Sequence, residues 1–136
     1  MTLGCGNTPY IFNSTGQDIE ITSPNYPRSK LTNLECSYLI VYPQNKVLRL
    51  EYSEFEFKWN GYGIKVYDGN STNADLIFQG SNLKTTAPDP IFSKGNELFV
   101  RLKGYSSSGG GVKDISKVLY RIKVKSQGMI VILFHF

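Results

Sequence analysis

The chain has 136 residues, a formal net charge of +4, 40% hydrophobic residues and 13% aromatic residues. This length suits one domain with one core, and the composition excludes a disordered polar tail and a collagen-like chain. The sequence contains one histidine, His135. Catalytic sites built on a histidine triad and metal sites built on several histidines are therefore not expected.

Alternation of apolar and polar residues dominates the chain, and no window of a dozen residues carries a sustained helical stripe. In chain order, the alternation predicts half-buried strands at residues 19–21, 48–52, 55–57, 64–67, 98–102 and 120–124. Turn-forming residues separate these segments at 24–27, 43–45, 60–61, 68–69 and 95–96. Gly69 and Gly95 belong to pairs that tolerate positive φ, which is typical of a turn at a strand end. The pattern predicts an all-β fold, an antiparallel β-sandwich.

Five short motifs follow one another along residues 5–100. They are Cys-Gly at 5–6, Ile-Thr-Ser-Pro-Asn-Tyr-Pro at 21–27, Cys-Ser-Tyr-Leu-Ile at 36–40, Tyr-Gly-Ile-Lys-Val-Tyr-Asp-Gly at 62–69 and Ser-Lys-Gly-Asn-Glu-Leu-Phe-Val at 93–100. In this order they resemble the CUB domain, an extracellular β-sandwich module of jelly-roll-like type. The resemblance covers about residues 5–125. It implies a non-catalytic module that binds extracellular proteins, as part of a larger secreted or membrane-anchored protein.

The resemblance predicts a CUB-like domain over residues 1–128, with its core at about 5–125, and an apolar C-terminal tail at 129–136. The tail contains six consecutive apolar residues from Met129 to Phe134, far fewer than the ~20 needed to span a bilayer. The sequence leaves open whether this tail is a native edge strand, the start of a truncated membrane segment or a non-native end. No membrane span and no nucleic-acid partner are expected for this chain.

The resemblance also implies one disulfide, between Cys5 and Cys36, which would contribute roughly 3.5 kcal/mol in the chain-entropy model. The second disulfide of the family is not expected, because its positions align with Asn60 and Gln79. Two N-glycosylation sequons begin at Asn13 and Asn70. The sequons and the disulfide together indicate the oxidising, extracellular side of the secretory pathway.

Many CUB domains bind Ca²⁺ through three acidic side chains at one end of the sandwich. The resemblance aligns these positions with Lys58, Gly63, and Gly104 or Tyr105. A hard cation needs oxygen ligands, and none of the aligned residues has a carboxylate. We therefore expect no metal site and no cofactor, unless a slipped alignment makes Glu54 or Glu56 a ligand.

The same end of the sandwich is the predicted partner-binding region. The resemblance brings together four residues there: Lys58, Trp59, Tyr62 and Tyr105. The amphipathic ring of Trp59 suits a binding surface, although a ring folded back over the end of the sandwich is equally compatible with the sequence.

Two other functions compete with protein binding. Arg101, Lys103, Arg121 and Lys123 alternate with apolar residues in the basic C-terminal third. They would hold an anionic glycan such as heparin if their strands were neighbours, and otherwise they form solvated strand faces. Glu54 and Glu56 share a strand face, as the paired carboxylates of a sandwich-type hydrolase would. No third catalytic group is recognisable, so we expect a polar outer face and no enzyme.

Overall fold

The computed structural model describes residues 5–6, 8–24, 26, 34–57, 63–80, 89–104 and 118–128. Within these residues, nine β-strands form two sheets. The strands are β1 (Tyr10–Asn13), β2 (Ile19–Thr22), β3 (Leu34–Val41), β4 (Lys46–Phe57), β5 (Gly63–Asp68), β6 (Asp75–Gly80), β7 (Ile91–Phe92), β8 (Glu97–Gly104) and β9 (Val118–Gly128). The all-β prediction is confirmed, and every segment predicted from alternation lies inside β2, β4, β5, β8 or β9.

The first sheet has the strand order β1-β3-β8-β5-β6, and the second has the order β2-β9-β4-β7. Strand β1 is parallel to β3, whereas the other described pairs are antiparallel. Outside the β-bulges, the strands present alternate side chains to the space between the sheets. The antiparallel sandwich predicted from the sequence is therefore the observed architecture, with one parallel pair at its edge.

The core lies between the two sheets and draws on most of the strands. Its fully buried aliphatic side chains include Ile40, Leu48, Leu50, Ile64, Val66, Leu98, Val100, Leu102, Ile122 and Val124. Burying one such side chain contributes about 1.5–3 kcal/mol. This aliphatic layer holds the sheets together and fixes which strand ends meet at each end of the sandwich.

Strand β4 contains a β-bulge between Tyr52 and Glu54. Tyr52 pairs with Ile122, whereas Glu54 pairs with Arg121, so Ser53 is an extra residue in β4. Tyr52 is buried, but Ser53 and Glu54 are both exposed. The bulge explains why the apolar alternation of this strand shifts by one position after Tyr52.

Gly69 and Gly95 lie at strand ends, as the sequence predicts, but neither adopts a positive φ. Strand β5 ends at Asp68 and β8 begins at Glu97, yet the φ angles of Gly69 and Gly95 lie outside the left-handed region. A Cβ on Gly69 would lie 2.6 Å from the Cβ of Ala74. Gly69 is therefore required by the close approach of two chain segments within the β5–β6 hairpin.

Replacing Gly69 by alanine is expected to destabilise the domain by about 1 kcal/mol or more, because the added methyl group overpacks the hairpin. Gly95→Ala is the matched control, since a Cβ there meets nothing within 4 Å. It should leave stability unchanged or raise it slightly by restricting the unfolded chain. Urea denaturation of both variants measures the difference, and equal midpoints would contradict the close approach at Gly69.

None of the residues described here forms a helix long and apolar enough to cross a membrane. Strand β9 ends at Gly128, where the sequence predicts the end of the domain. The predicted tail at 129–136 lies outside the described residues.

Candidate functional site

The predicted partner-binding residues belong to two segments that leave the same end of the sandwich. In the second sheet, the last residue of β4, Phe57, pairs with the first residue of β9, Val118. In the first sheet, Gly63 at the start of β5 pairs with Lys103, next to the end of β8. Segments 58–62 and 105–117 therefore both connect strands at one end, which we call the loop end.

Four predicted contact residues belong to these two segments and lie outside the described residues: Lys58, Trp59, Tyr62 and Tyr105. Gly63, which borders the first segment, is buried and has a φ of 70°. That conformation favours glycine over residues with a side chain. Gly63 is also the position aligned with the second acid of the family's calcium site. As a glycine, it provides no carboxylate at this position.

The described residues contain no cluster of three or more histidine, cysteine, aspartate or glutamate side chains that could hold a metal ion. Glu54 and Glu56 are the two acids that a slipped alignment would make calcium ligands. The carboxylate of Glu54 accepts a hydrogen bond from the hydroxyl of Tyr26. This hydrogen bond raises the pKa of Tyr26. The side chain of Glu56 lies outside the described residues, as do those of the aligned positions 58 and 105.

Both N-glycosylation sequons lie at the end of the sandwich opposite to the loop end. Asn13 is the last residue of β1 and pairs with Val41, the last residue of β3. Asn70 follows the last residue of β5, Asp68, in the β5–β6 hairpin. Both asparagines are exposed, so the structure presents both side chains to solvent.

The predicted disulfide between Cys5 and Cys36 is present, and it attaches the N-terminal segment to β3. Cys36 is completely buried, and the Cα atoms of the two cysteines are 3.9 Å apart. Next to the bridge, the N–H of Gly6 donates to the carbonyl oxygen of Glu35 at 2.9 Å. The bridge lies two residues from Leu34, the residue of β3 that pairs with Gly104 at the loop end.

A buried pair of tyrosines connects the two sheets beside this disulfide. The hydroxyl oxygens of Tyr38 on β3 and Tyr120 on β9 are 3.0 Å apart, and the Tyr38 hydroxyl lies 3.7 Å from Sγ of Cys5. Desolvation by burial raises the pKa of both tyrosines. The pair is thus held neutral, and it joins the N-terminal bridge to the first residues of β9 after the 105–117 segment.

The outer face of the first sheet carries an apolar row that crosses all five of its strands. The row consists of register neighbours Ile11, Leu39, Phe99, Tyr67 and Leu76. Its two ends are the most open, since Ile11 is 58% exposed and Leu76 is 46% exposed. At its centre, the rings of Tyr67 and Phe99 are 6.3 Å apart. The sequence alone did not reveal this row, because strand register is needed to align its members.

A depression of about 240 Å³ lies beside the centre of this row. Its lining comes from the N-terminal segment, β3, the β5–β6 hairpin and β8: Gly6, Pro9, Glu35, Ser37, Thr72, Phe99 and Arg101. Within it, Arg101 forms an ion pair with Glu35 at 2.8 Å. The depression is thus lined by an ion pair and one aromatic ring. Because Thr72 is part of the same lining, it lies over the outer face of the first sheet.

The outer face of the second sheet is covered by paired charges. Arg121 forms an ion pair with Glu20 at 3.1 Å, and this hydrogen bond raises the pKa of Arg121. Lys123 is in register with Glu20 on one side and Glu51 on the other. Opposite charges on neighbouring strands stabilise such a face modestly.

The four residues of the predicted glycan-binding stripe do not lie on neighbouring strands. Arg101 and Lys103 are on β8 in the first sheet, whereas Arg121 and Lys123 are on β9 in the second sheet. The two pairs therefore face away from each other on opposite sides of the sandwich. Ion pairs with Glu35 and Glu20 also engage Arg101 and Arg121.

Comparison with known proteins agrees with this architecture. The CUB domain family model matches residues 5–113, and the chain belongs to the CUB domain family, whose members are extracellular protein-interaction modules. Human cubilin is 33% identical over 103 residues, which cover 76% of this chain and 3% of cubilin. The tolloid protein of Drosophila melanogaster is 32% identical over 97 residues, covering 67% of this chain and 9% of tolloid. The chain thus spans a small part of these extracellular relatives.

Solved structures show the same fold at low sequence identity. The CUB1-EGF-CUB2 structure of rat MASP-1 superposes with a TM-score of 0.62 at 15% identity, covering 87% of this chain and 43% of that one. The single bridge, Cys5–Cys36, is the disulfide predicted for this chain.

Proposed function

We propose that this CUB domain binds an extracellular protein through the loop end, as one module of a larger secreted or membrane-anchored protein. The observation that carries the proposal is the strand register, in which Phe57 meets Val118 and Gly63 meets Lys103. This register makes 58–62 and 105–117 neighbouring connections at one end. The domain itself is proposed to extend to residue 128, the end of β9.

The residue types in the two segments suit a protein interface. Trp59, Tyr62 and Tyr105 are aromatic residues of the kinds enriched at binding hot spots, and Lys58 adds one positive charge. Both sequons lie at the opposite end, so glycans there leave the loop end open. The buried Tyr38–Tyr120 pair and the Cys5–Cys36 bridge support the strands next to it, and a rigid frame reduces the entropic cost of binding.

A binding screen with a matched pair of variants tests this proposal. The disulfide-bonded domain, secreted from animal cells, is immobilised and presented with purified extracellular domains, and saturable binders are carried forward. Trp59→Ala is expected to weaken binding about tenfold or more, ~1.4 kcal/mol. Phe92→Ala, which removes the 52% exposed ring on β7 of the second sheet, should leave the affinity unchanged. Loss of affinity in Phe92→Ala with none in Trp59→Ala would contradict the proposal.

Binding of an anionic glycan is less well supported than binding of a protein. The four basic residues proposed for it lie on opposite sides of the sandwich, and two of them form ion pairs. We expect weak retention on immobilised heparin, with the salt concentration for elution unchanged by Arg121→Ala and Lys123→Ala together. Strong retention that this double variant abolishes would instead favour glycan binding by β9.

A further inference from the structure

The apolar row on the outer face of the first sheet is open to solvent at both ends. An antiparallel sheet with one solvated face normally presents polar side chains there. Here Ile11 and Leu76 are exposed at the two ends, Leu39 and Tyr67 are half-buried, and Phe99 between them is buried. Large apolar side chains that are exposed on an extracellular module indicate either a surface that contacts another molecule or a surface that is covered by other groups of the same molecule.

The first sequon lies on this face, beside one end of the row. Side chains of a strand alternate between its two faces, and Tyr10 and Phe12 pack against the core. Ile11 and Asn13 therefore both point outward, about 7 Å apart along the strand. A glycan on Asn13 would start next to Ile11.

The second sequon lies in the hairpin that joins the last two strands of the row. Its asparagine, Asn70, is in the hairpin between β5 and β6, which carry the row residues Tyr67 and Leu76. Thr72, the third residue of this sequon, lines the same depression as Phe99 on the outer face. The hairpin therefore lies over the first sheet and not over the second.

We propose that N-linked glycans on Asn13 and Asn70 cover the apolar row and prevent this face from self-associating. These are the two sequons of the chain, and both belong to the first sheet. N-linked glycans are bulky and solubilising, so they shield apolar surface beneath them. The group that covers this face is thus the carbohydrate attached to the chain itself. The loop end, which lies at the opposite end of the sandwich from both sequons, stays available to a protein partner.

The test compares glycosylated and unglycosylated forms of the secreted domain. Intact mass spectrometry should show two glycans on the wild type, one on Asn13→Gln or Asn70→Gln, and none on the double variant. Sedimentation velocity should find the wild type monomeric at all concentrations. The double variant, and the wild type treated with a peptide N-glycosidase under native conditions, should self-associate with rising concentration and increase anilinonaphthalene sulfonate fluorescence several-fold.

A rescue experiment assigns this effect to the row. Adding Ile11→Thr and Leu76→Thr to the double variant should restore the monomer and the low dye fluorescence. Adding Phe92→Thr, which removes an exposed ring on the second sheet, should not. The proposal is overturned if the asparagines carry no glycan, if the deglycosylated forms remain monomeric without a rise in fluorescence, or if Phe92→Thr rescues as well. None of these results bears on partner binding at the loop end.

Discussion

Replacing Cys5 and Cys36 together by alanine is expected to lower the free energy of unfolding by roughly 3.5 kcal/mol. The bridge joins residues 31 positions apart, so its loss returns considerable entropy to the unfolded chain. Cys36 is completely buried, and its truncation also removes packing around the core. The N-terminal segment, held by the bridge and by the Gly6–Glu35 hydrogen bond, should become susceptible to proteolysis.

Urea denaturation with and without a reducing agent measures this effect and supplies its own control. Reduction should destabilise the wild type by about as much as the double substitution does, and it should leave the double variant unchanged. A double variant as stable as the oxidised wild type would show that the bridge does not constrain the chain as the structure indicates.

Tyr38→Phe and Tyr120→Phe are each expected to destabilise the domain by about 1 kcal/mol, because each removes the hydrogen bond between the two buried hydroxyls. The double substitution removes both hydroxyls at once. It should therefore cost less than the sum of the single substitutions, with a coupling energy of about 1 kcal/mol. A double-mutant cycle from denaturation curves measures this value, and strict additivity would contradict the 3.0 Å contact between the hydroxyl oxygens.

The pH dependence of stability provides a second test of the same pair. Burial raises the pKa of Tyr38 and Tyr120 above the ordinary value of 10.0. Both therefore contribute stability that is complete below pH 10 and is lost at higher pH, where the unfolded chain ionises first. The Tyr38→Phe, Tyr120→Phe double variant should lose stability less steeply above pH 10 than the wild type does. Equal slopes would contradict the assigned burial of the pair.

Alternation predicted the long strands because each has one face in the core. Strands β4, β5, β8 and β9 all include a predicted segment, and the family motifs at 36–40 mark β3. Strand β6 was missed because the register shift opposite Val66 and Tyr67 lets the adjacent residues Ile77 and Phe78 both pack against the core. Such a bulge breaks period-two alternation. Strand β7, with two residues, is too short to have a period.

Features of the candidate functional surfaces could be predicted only where a motif marked them. The disulfide followed from the family resemblance, and the structure confirms it. The apolar row could not be predicted, because its five residues come from five strands that are brought into line by register. The separation of Arg101 from Arg121 by the thickness of the sandwich likewise depends on the assignment of β8 and β9 to different sheets. The sequence identified Gly69 as a turn residue. It could not show the close approach of Ala74, which is why a glycine is required at this position.

Hydrogen exchange of the domain in complex with a captured extracellular partner tests the central claim most directly. Peptides that cover 58–62 and 105–117 should become protected, whereas those from β2 and β9 on the outer face of the second sheet should exchange as in the free domain. Protection confined to residues 119–125, with none at 58–62 or 105–117, would contradict binding through the loop end.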